Sequence, residues 1–361
     1  MTMKIKFSKE SLNLVQKMFR SLSYTRRLMW RKRALVLSAF LVIAQLASPL
    51  SMIVAYAAPT TSNDVGSSAA LDPVANKANR LQMQGSSGVD QSTGAFTYSY
   101  PLTIPDGRNG MSPKLALSYN SQNNETGWFG YGWNMSIPYI DRTTKTGTDK
   151  LYTSPAFVSS LHGELTSSNG YSYEQKIDDG SYAKYTYTGN TWQMTDRDGT
   201  TYYFGNTYDS RLQDDTGVKI GRWYLSEVRD KFGNGIVYTY TKDGGNVYPN
   251  TISYTEHALA HPLNLVTFTL ENKTDKFINY RYGFPLTDTK RVASIKVTTN
   301  GKDNSYFTFS YTKESNGYRS LLQGVEEKHL STNDDWTTLP KTTFEYENSS
   351  TTYSGTISTS A

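Results

Sequence analysis

Cysteine is absent from this chain of 361 residues. That excludes a disulfide framework, a thiolate metal site and a cysteine nucleophile. Histidine is scarce: only His162, His257, His261 and His329 occur, so imidazole acid/base chemistry has few candidates. Beyond residue 57 no stretch sustains a helical apolar period, which leaves no helical core to build. Long apolar runs are confined to residues 34–57. Basic charge is also missing from most of the chain. Of 37 Lys/Arg and 32 Asp/Glu, ten basic residues and Glu10 alone fall within residues 1–57, and the remaining 27 basic and 31 acidic side chains are net acidic. The overall excess of +5 therefore belongs to the leader, and a nucleic-acid partner loses its electrostatic basis.

What the chain has instead is tyrosine, 28 residues of it, together with abundant Thr, Ser, Asn and Gly. Tyr and Thr suit a pleated, half-buried surface, so the bias favours strands. A chain of this size also buries enough core to manage without disulfides outside the cell.

The leader has three parts. Arg26-Arg27 and Arg31-Lys32-Arg33 precede an apolar run from Ala34 to Ala57, which ends in Ala55-Tyr56-Ala57. A positive n-region, an apolar h-region and an Ala-x-Ala site describe a secretory signal helix, with Ala55 and Ala57 flanking the cleavage geometry. The run is also long enough to span a bilayer as an uncleaved anchor. Either fate keeps the basic N-terminus in the cytoplasm and places the body outside, secreted or at the cell surface. Membrane contact is expected only through an uncleaved leader. Residues 58–78 are small, polar and without period, and read as a linker.

From residue 79 to 347 the pattern is alternation broken by glycine turns. Ala95 to Leu102 and Lys114 to Tyr119 flank the turn Pro105-Asp106-Gly107-Arg108-Asn109-Gly110. An aromatic corner follows at Gly127-Trp128-Phe129-Gly130-Tyr131-Gly132-Trp133. Asp179-Gly180, Gly189-Asn190 and Asp198-Gly199 then separate short runs at intervals of roughly ten residues. Such pairs supply the positive φ that tight hairpins need. Further strands are expected at Thr251–Tyr254, Leu265–Leu270, Phe277–Tyr282, Val292–Thr298, Tyr306–Tyr311 and Thr342–Tyr346. The fold class is all-β, built of antiparallel meander and hairpin sheets, and residues 348–361 read as a disordered polar tail.

Candidate chemistry is thin. His257 and His261 have the i, i+4 spacing of two zinc ligands, but Ala258 stands where a metalloprotease needs glutamate. They read as loop histidines, and no metal or cofactor is expected. The pairs Asp178-Asp179, Asp214-Asp215, Glu326-Glu327 and Asp334-Asp335 point to opposite faces if extended, and read as solvated turns. Trp128, Tyr131 and Trp133 are the candidate binding aromatics, able in principle to stack on sugar rings; aromatics beside glycine more often close a β corner. The Glu345-Tyr346-Glu347 stretch precedes Ser358-Thr359-Ser360, the reverse of the order an ADP-ribosyltransferase requires. An enzyme is not expected.

Several segments in order resemble the SpvB domain of virulence-plasmid B proteins and of insecticidal Tc toxin B components. They are Ser92 to Tyr98 with Pro105 to Pro113, Leu117 to Ser121 with Gly130 to Trp133, Asp198 to Gly205, Trp223 to Leu225, and Leu339 to Tyr346. Asp230 to Tyr240 is also similar to the RHS/YD grammar of wall-associated proteins. The resemblance implies the first wall of a cocoon-like shell, a non-enzymatic part whose partners are the remaining RHS or toxin shell regions, or a cargo, in virulence or intercellular competition. Those proteins continue into propeller, RHS or toxin regions, so a stand-alone subunit or a fragment is implied. Such a partial shell is expected to leave a long unpaired edge strand near residues 340–346. The alternative is a cell-surface or glycan-binding module.

Overall fold

The computed structural model describes residues 3–6, 85–167, 169–257, 262–314, 319–331 and 333–346. The apolar leader run with Ala55 and Ala57, the linker, His261 and the polar tail lie outside the described residues. Within them the structure is antiparallel β, with short 3-10 turns and one isolated parallel bridge between Gly245 and Thr287.

The first sheet has four strands, Ser86–Val89, Phe96–Pro101, Ala116–Asn120 and Trp133–Met135. Alternation puts every second side chain on one face. Register then lines up Tyr98, Tyr119 and Trp133 in one buried row and Tyr100, Leu117 and Met135 in the next. The Pro-Asp-Gly-Arg-Asn-Gly connection turns back through Asn109 and Gly110, both at positive φ.

The second unit is a closed barrel. Its strands are Tyr139–Arg142, Phe157–Ser159, Gly163–Ser167, Ser172–Gln175, Lys184–Thr188, Thr191–Thr195, Thr201–Phe204 and Ile220–Arg229. Each pairs with the next, and closure comes from Tyr139–Arg142, where Ile140 stands opposite both Ser159 and Trp223. Eight strands leave an interior that side chains can fill. Phe157, Tyr173, Trp192 and Trp223 fill it with rings 4.8–6.2 Å apart. Arg142 lies over Phe157 at 4.8 Å and donates Nε to the Ile220 carbonyl at 2.9 Å, so this cation is paired with carbonyl and ring faces. The expected hairpins are present: Gly180, Gly189, Asn190 and Gly199 all take positive φ.

The third region is a long-stranded open meander. It runs Asn234–Asp243, Asn246–His257, Asn264–Asn279, Leu286–Thr299, Lys302–Lys313 and Ser320–Leu330, with Trp336–Thr338 and Thr342–Tyr346 at its end. The stretches expected as separate strands at Leu265–Leu270 and Phe277–Tyr282 belong largely to one strand of 16 residues, and residues 280–282 begin the turn. Glu326-Glu327 is a correction to the sequence reading. It sits within a strand, and Glu327 is buried on the same face as Val325 and His329.

The hairpin Asn264–Asn279/Leu286–Thr299 is in the sheet only at its base. Thr251↔Thr267 is the last pair on one side, and Ser294↔Thr308 on the other. Beyond these the hairpin leaves its neighbours and needs other partners for its amides. Thr287 donates to the Gly244 carbonyl at 2.7 Å, Thr289 to the Tyr248 hydroxyl at 2.9 Å, and Val292 to the Trp128 carbonyl at 2.9 Å. Gly244 is required there, because a Cβ would stand 2.7 Å from the Thr287 carbonyl oxygen.

The expected open edge at Thr342–Tyr346 is also corrected. Gly324 and Val325 pair with one side of this strand, and Met3–Lys6 pairs with Thr343 to Tyr346 on the other.

Burial of phenols gives the fold a pH dependence. Desolvation pushes Tyr98, Tyr119, Tyr152, Tyr185 and Tyr248 up to about 12 from an ordinary value of 10.0. Raised folded values mean that this stability is complete below pH 10 and is lost as pH rises towards 12. An alkaline titration should show cooperative unfolding in that window, with tyrosinate absorbance and loss of β circular dichroism moving together. Independent titration of these phenols with the fold intact would contradict it.

Candidate functional site

The hairpin tip and the barrel wall meet at a buried charge cluster. Gly221, on a barrel strand, presents bare backbone, and a Cβ there would stand 2.2 Å from Tyr282 Cγ. The Tyr282 ring therefore lies directly on the wall. Its hydroxyl donates to Asp141 Oδ1 at 2.6 Å, and its carbonyl accepts from the Tyr152 hydroxyl at 2.6 Å. Asp141 is 2% exposed, and its Oδ2 accepts from Arg222 Nη2 at 2.7 Å. The Arg222 guanidinium lies 4.0 Å from the Tyr139 ring centre. Arg281 lies 3.6 Å from Asp141 and pairs with Glu125 on the rim. Burial pushes the Tyr282 phenol well above its ordinary value, so it serves as a neutral donor.

Two further clusters work in the same way. Lys273 and Asp288 form a buried pair across the hairpin, and Tyr248 donates to Asp288 at 3.2 Å. Burial raises the Asp288 carboxyl, and Lys273 opposes that shift. Glu327 and His329, both buried, pair with one another, and Tyr100 of the first sheet donates to Glu327 at 3.2 Å. Each carboxylate joins two different pieces of the fold. A buried carboxyl that shares hydrogen bonds with a basic side chain and a phenol is satisfied where it stands.

The aromatic corner is a wedge. Trp128 is half-buried; its Nε1 donates to the Val247 carbonyl at 2.8 Å, and its ring centre lies 5.4 Å from that of Tyr224. Phe129 is buried against Phe309 at 5.0 Å. Trp133 is fully buried between Tyr98, Tyr119 and Phe344, and donates Nε1 to the Tyr346 hydroxyl at 2.7 Å. Tyr131 is buried beneath the Arg319 guanidinium at 4.1 Å. Of the three candidate binding aromatics, Trp128 and Trp133 line a cleft of about 610 Å³ with Asn123, Glu125, Asn246, Phe277 and Arg281, and of these two Trp128 is half-buried and Trp133 fully buried. Trp133 and Tyr131 offer no exposed ring face for a sugar, because neighbouring rings and Arg319 cover them. Among the described residues no group of three His, Asp or Glu side chains is placed to hold a metal ion.

Asp141, Arg222, Tyr282, Glu327 and His329 carry this network; sequence reading named His329 and took Glu326-Glu327 for a solvated turn, and singled out none of the other three. Glu327 and His329 left one trace, since they share strand parity with the apolar Val325. Asp141 left none, because its partners are distant in the chain.

The sequence model of the Salmonella virulence plasmid 65kDa B protein family, SpvB, matches residues 90–191 and 181–260. No curated protein matches the chain by sequence. The crystal structure of TcdB2-TccC3 is similar in fold, with a TM-score of 0.60 and 18% identity over 72% of this chain and 16% of that one. A Photorhabdus luminescens Tc holotoxin pore gives 0.58 and 18%, again over 72% and 16%. The N-terminal domain of the effector protein SpvB from Salmonella typhimurium strain LT2 gives 0.56 and 18%, over 64% of this chain and 99% of that one. The likeness to the SpvB and Tc toxin B-component region is thus present in sequence and in fold. This chain spans only about a sixth of the TcdB2-TccC3 chain.

The anchor makes a graded prediction. Tyr282→Phe removes one hydrogen bond to a buried carboxylate and should cost about 2 kcal/mol in urea unfolding. Asp141→Ala strands Arg222 as an unpaired charge and should cost about 4 kcal/mol. Equal losses, or none, would show that the tip is not locked through Asp141.

Proposed function

We propose, from the SpvB-type fold of residues 86–346, that this protein is an exported, non-enzymatic shell or scaffold that acts by association with other proteins. The partners are further RHS or toxin shell regions, or a polypeptide cargo, in virulence or competition between cells. The observation that carries this reading is the closed barrel continued by a long-stranded sheet. A portion of the TcdB2-TccC3 chain is similar in fold over 72% of the present chain. The buried carboxylates support it physically. They join separate parts of the fold, and Glu327 with Tyr100 joins two sheets, which gives rigidity at a cost in desolvation. The leader supports export, with the body secreted or held at the cell surface.

A second reading, a surface module that binds glycans, rests on Trp128 beside its cleft with Asn123 and Asn246. The two separate experimentally. On the shell reading Trp128→Ala removes a wedge and should lower stability by about 2 kcal/mol while no oligosaccharide binds either form. On the glycan reading the wild type binds oligosaccharide, and the variant loses binding at nearly unchanged stability. The association itself is tested by co-expressing the full gene with its immediate downstream neighbour. A complex that shields the neighbour's product from protease is expected. A protein that stays alone, or that turns over a substrate, would overturn the reading.

A further inference from the structure

The strand Thr342–Tyr346 is fixed from behind. Phe344 is 2% exposed and packs against Trp133 at 4.7 Å and Tyr98 at 5.7 Å. Tyr346 accepts from Trp133 and donates its hydroxyl to the Leu322 carbonyl at 2.6 Å. Gly324 lets the strand cross closely, because a Cβ there would stand 2.9 Å from the Thr342 carbonyl oxygen. None of these contacts involves the N-terminus. The outer edge of this strand is therefore a preformed ladder, whatever lies on it.

What lies on it is Met3–Lys6, antiparallel, with Lys4 opposite Glu345, Ile5 opposite Phe344 and Lys6 opposite Thr343. Lysines at alternate positions are a common means of blunting an edge. The covering strand is encoded upstream of the apolar run and of Ala55-Tyr56-Ala57. A cover upstream of the apolar run and an acceptor downstream of it are parted by translocation, which keeps the basic N-terminus in the cytoplasm, and cleavage makes the parting permanent.

We propose that Met3–Lys6 is a removable cover strand. It closes the Thr342–Tyr346 edge in the precursor while both ends are still on the cytoplasmic side and is left behind with the leader on export, and the exported form then takes up an extended partner strand that alternates basic and apolar residues. This rests on the export reading above. The backbone ladder supplies affinity, and a cation opposite Glu345 sets the register. A second copy of this chain is the poorer occupant, since its own edge strand brings Glu345 and no basic residue.

The chain lacks cysteine, so introduced pairs report cleanly. In the full chain in detergent, Lys4→Cys/Glu345→Cys should form a disulfide, whereas Ile5→Cys/Glu345→Cys, one residue out of register, should not. The form released by cells carrying the full gene should lack residues 3–6 and should bind a labelled peptide of residues 1–10. The Ile5→Pro peptide should bind at least about tenfold more weakly, because proline removes a ladder amide. Absence of the register-specific disulfide would overturn the cover strand whether or not a shell partner exists. A product that keeps its N-terminus would overturn its removal. Failure of the peptide to bind, or disulfide-linked dimers of a released Thr343→Cys/Glu345→Cys form, would overturn the partner strand.

Discussion

The contact of Tyr282 with Gly221 and Asp141 is the constraint on which the rest depends. The barrel is closed by its own pairings, and the meander is held by its own. The long hairpin leaves the meander, crosses the Gly244-Gly245 turn and places one tyrosine on the barrel wall. Burying Asp141 costs several kcal/mol of desolvation, which two cations and a phenol offset only in one geometry. The cluster therefore contributes more to the definiteness of the docking than to net stability. Glu327 with His329 and Tyr100, and Asp288 with Lys273 and Tyr248, repeat the arrangement at other joints.

The aromatic corner fills the space that this crossing opens. Where the hairpin departs, a bulge between Thr269 and Leu270 frees the Val292 amide, and the Trp128 carbonyl accepts it. The corner's glycines matter where backbone passes close to backbone. Gly130, at φ 95°, has the Ser320 carbonyl oxygen 2.8 Å from the place a Cβ would occupy. Sheet, corner and hairpin thus form one interlocked joint, and the large rings are spent on packing. This is the composition expected of a wall, where tyrosine brings apolar area to a pleated surface and a hydroxyl to its far side.

An open sheet raises the question of its ends. Barrels remove their edges by closure, and open sheets must have theirs covered. In this chain the terminal edge lies beside a strand from the opposite end of the polypeptide.

The sequence by itself determined the class of structure and most of its turns. Period-two alternation of Tyr and Thr, with Asp-Gly and Gly-Asn between runs, is local information, and strands and hairpins are local objects. The ordered segments from Ser92 to Tyr346 carried the SpvB likeness for the same reason, being short blocks read in series. Tertiary structure alone decided which strand closes the barrel, since Ile140 pairs with Trp223 far along the chain. It alone decided that Glu327 is buried rather than solvated, and that Trp133 is fully buried while Trp128 is half-buried. It alone paired Asp141 with Tyr282, 141 residues apart. Alternation says which residues share a face, but not which face is covered or by what. That depends on where distant strands lie, and no window of sequence contains both partners.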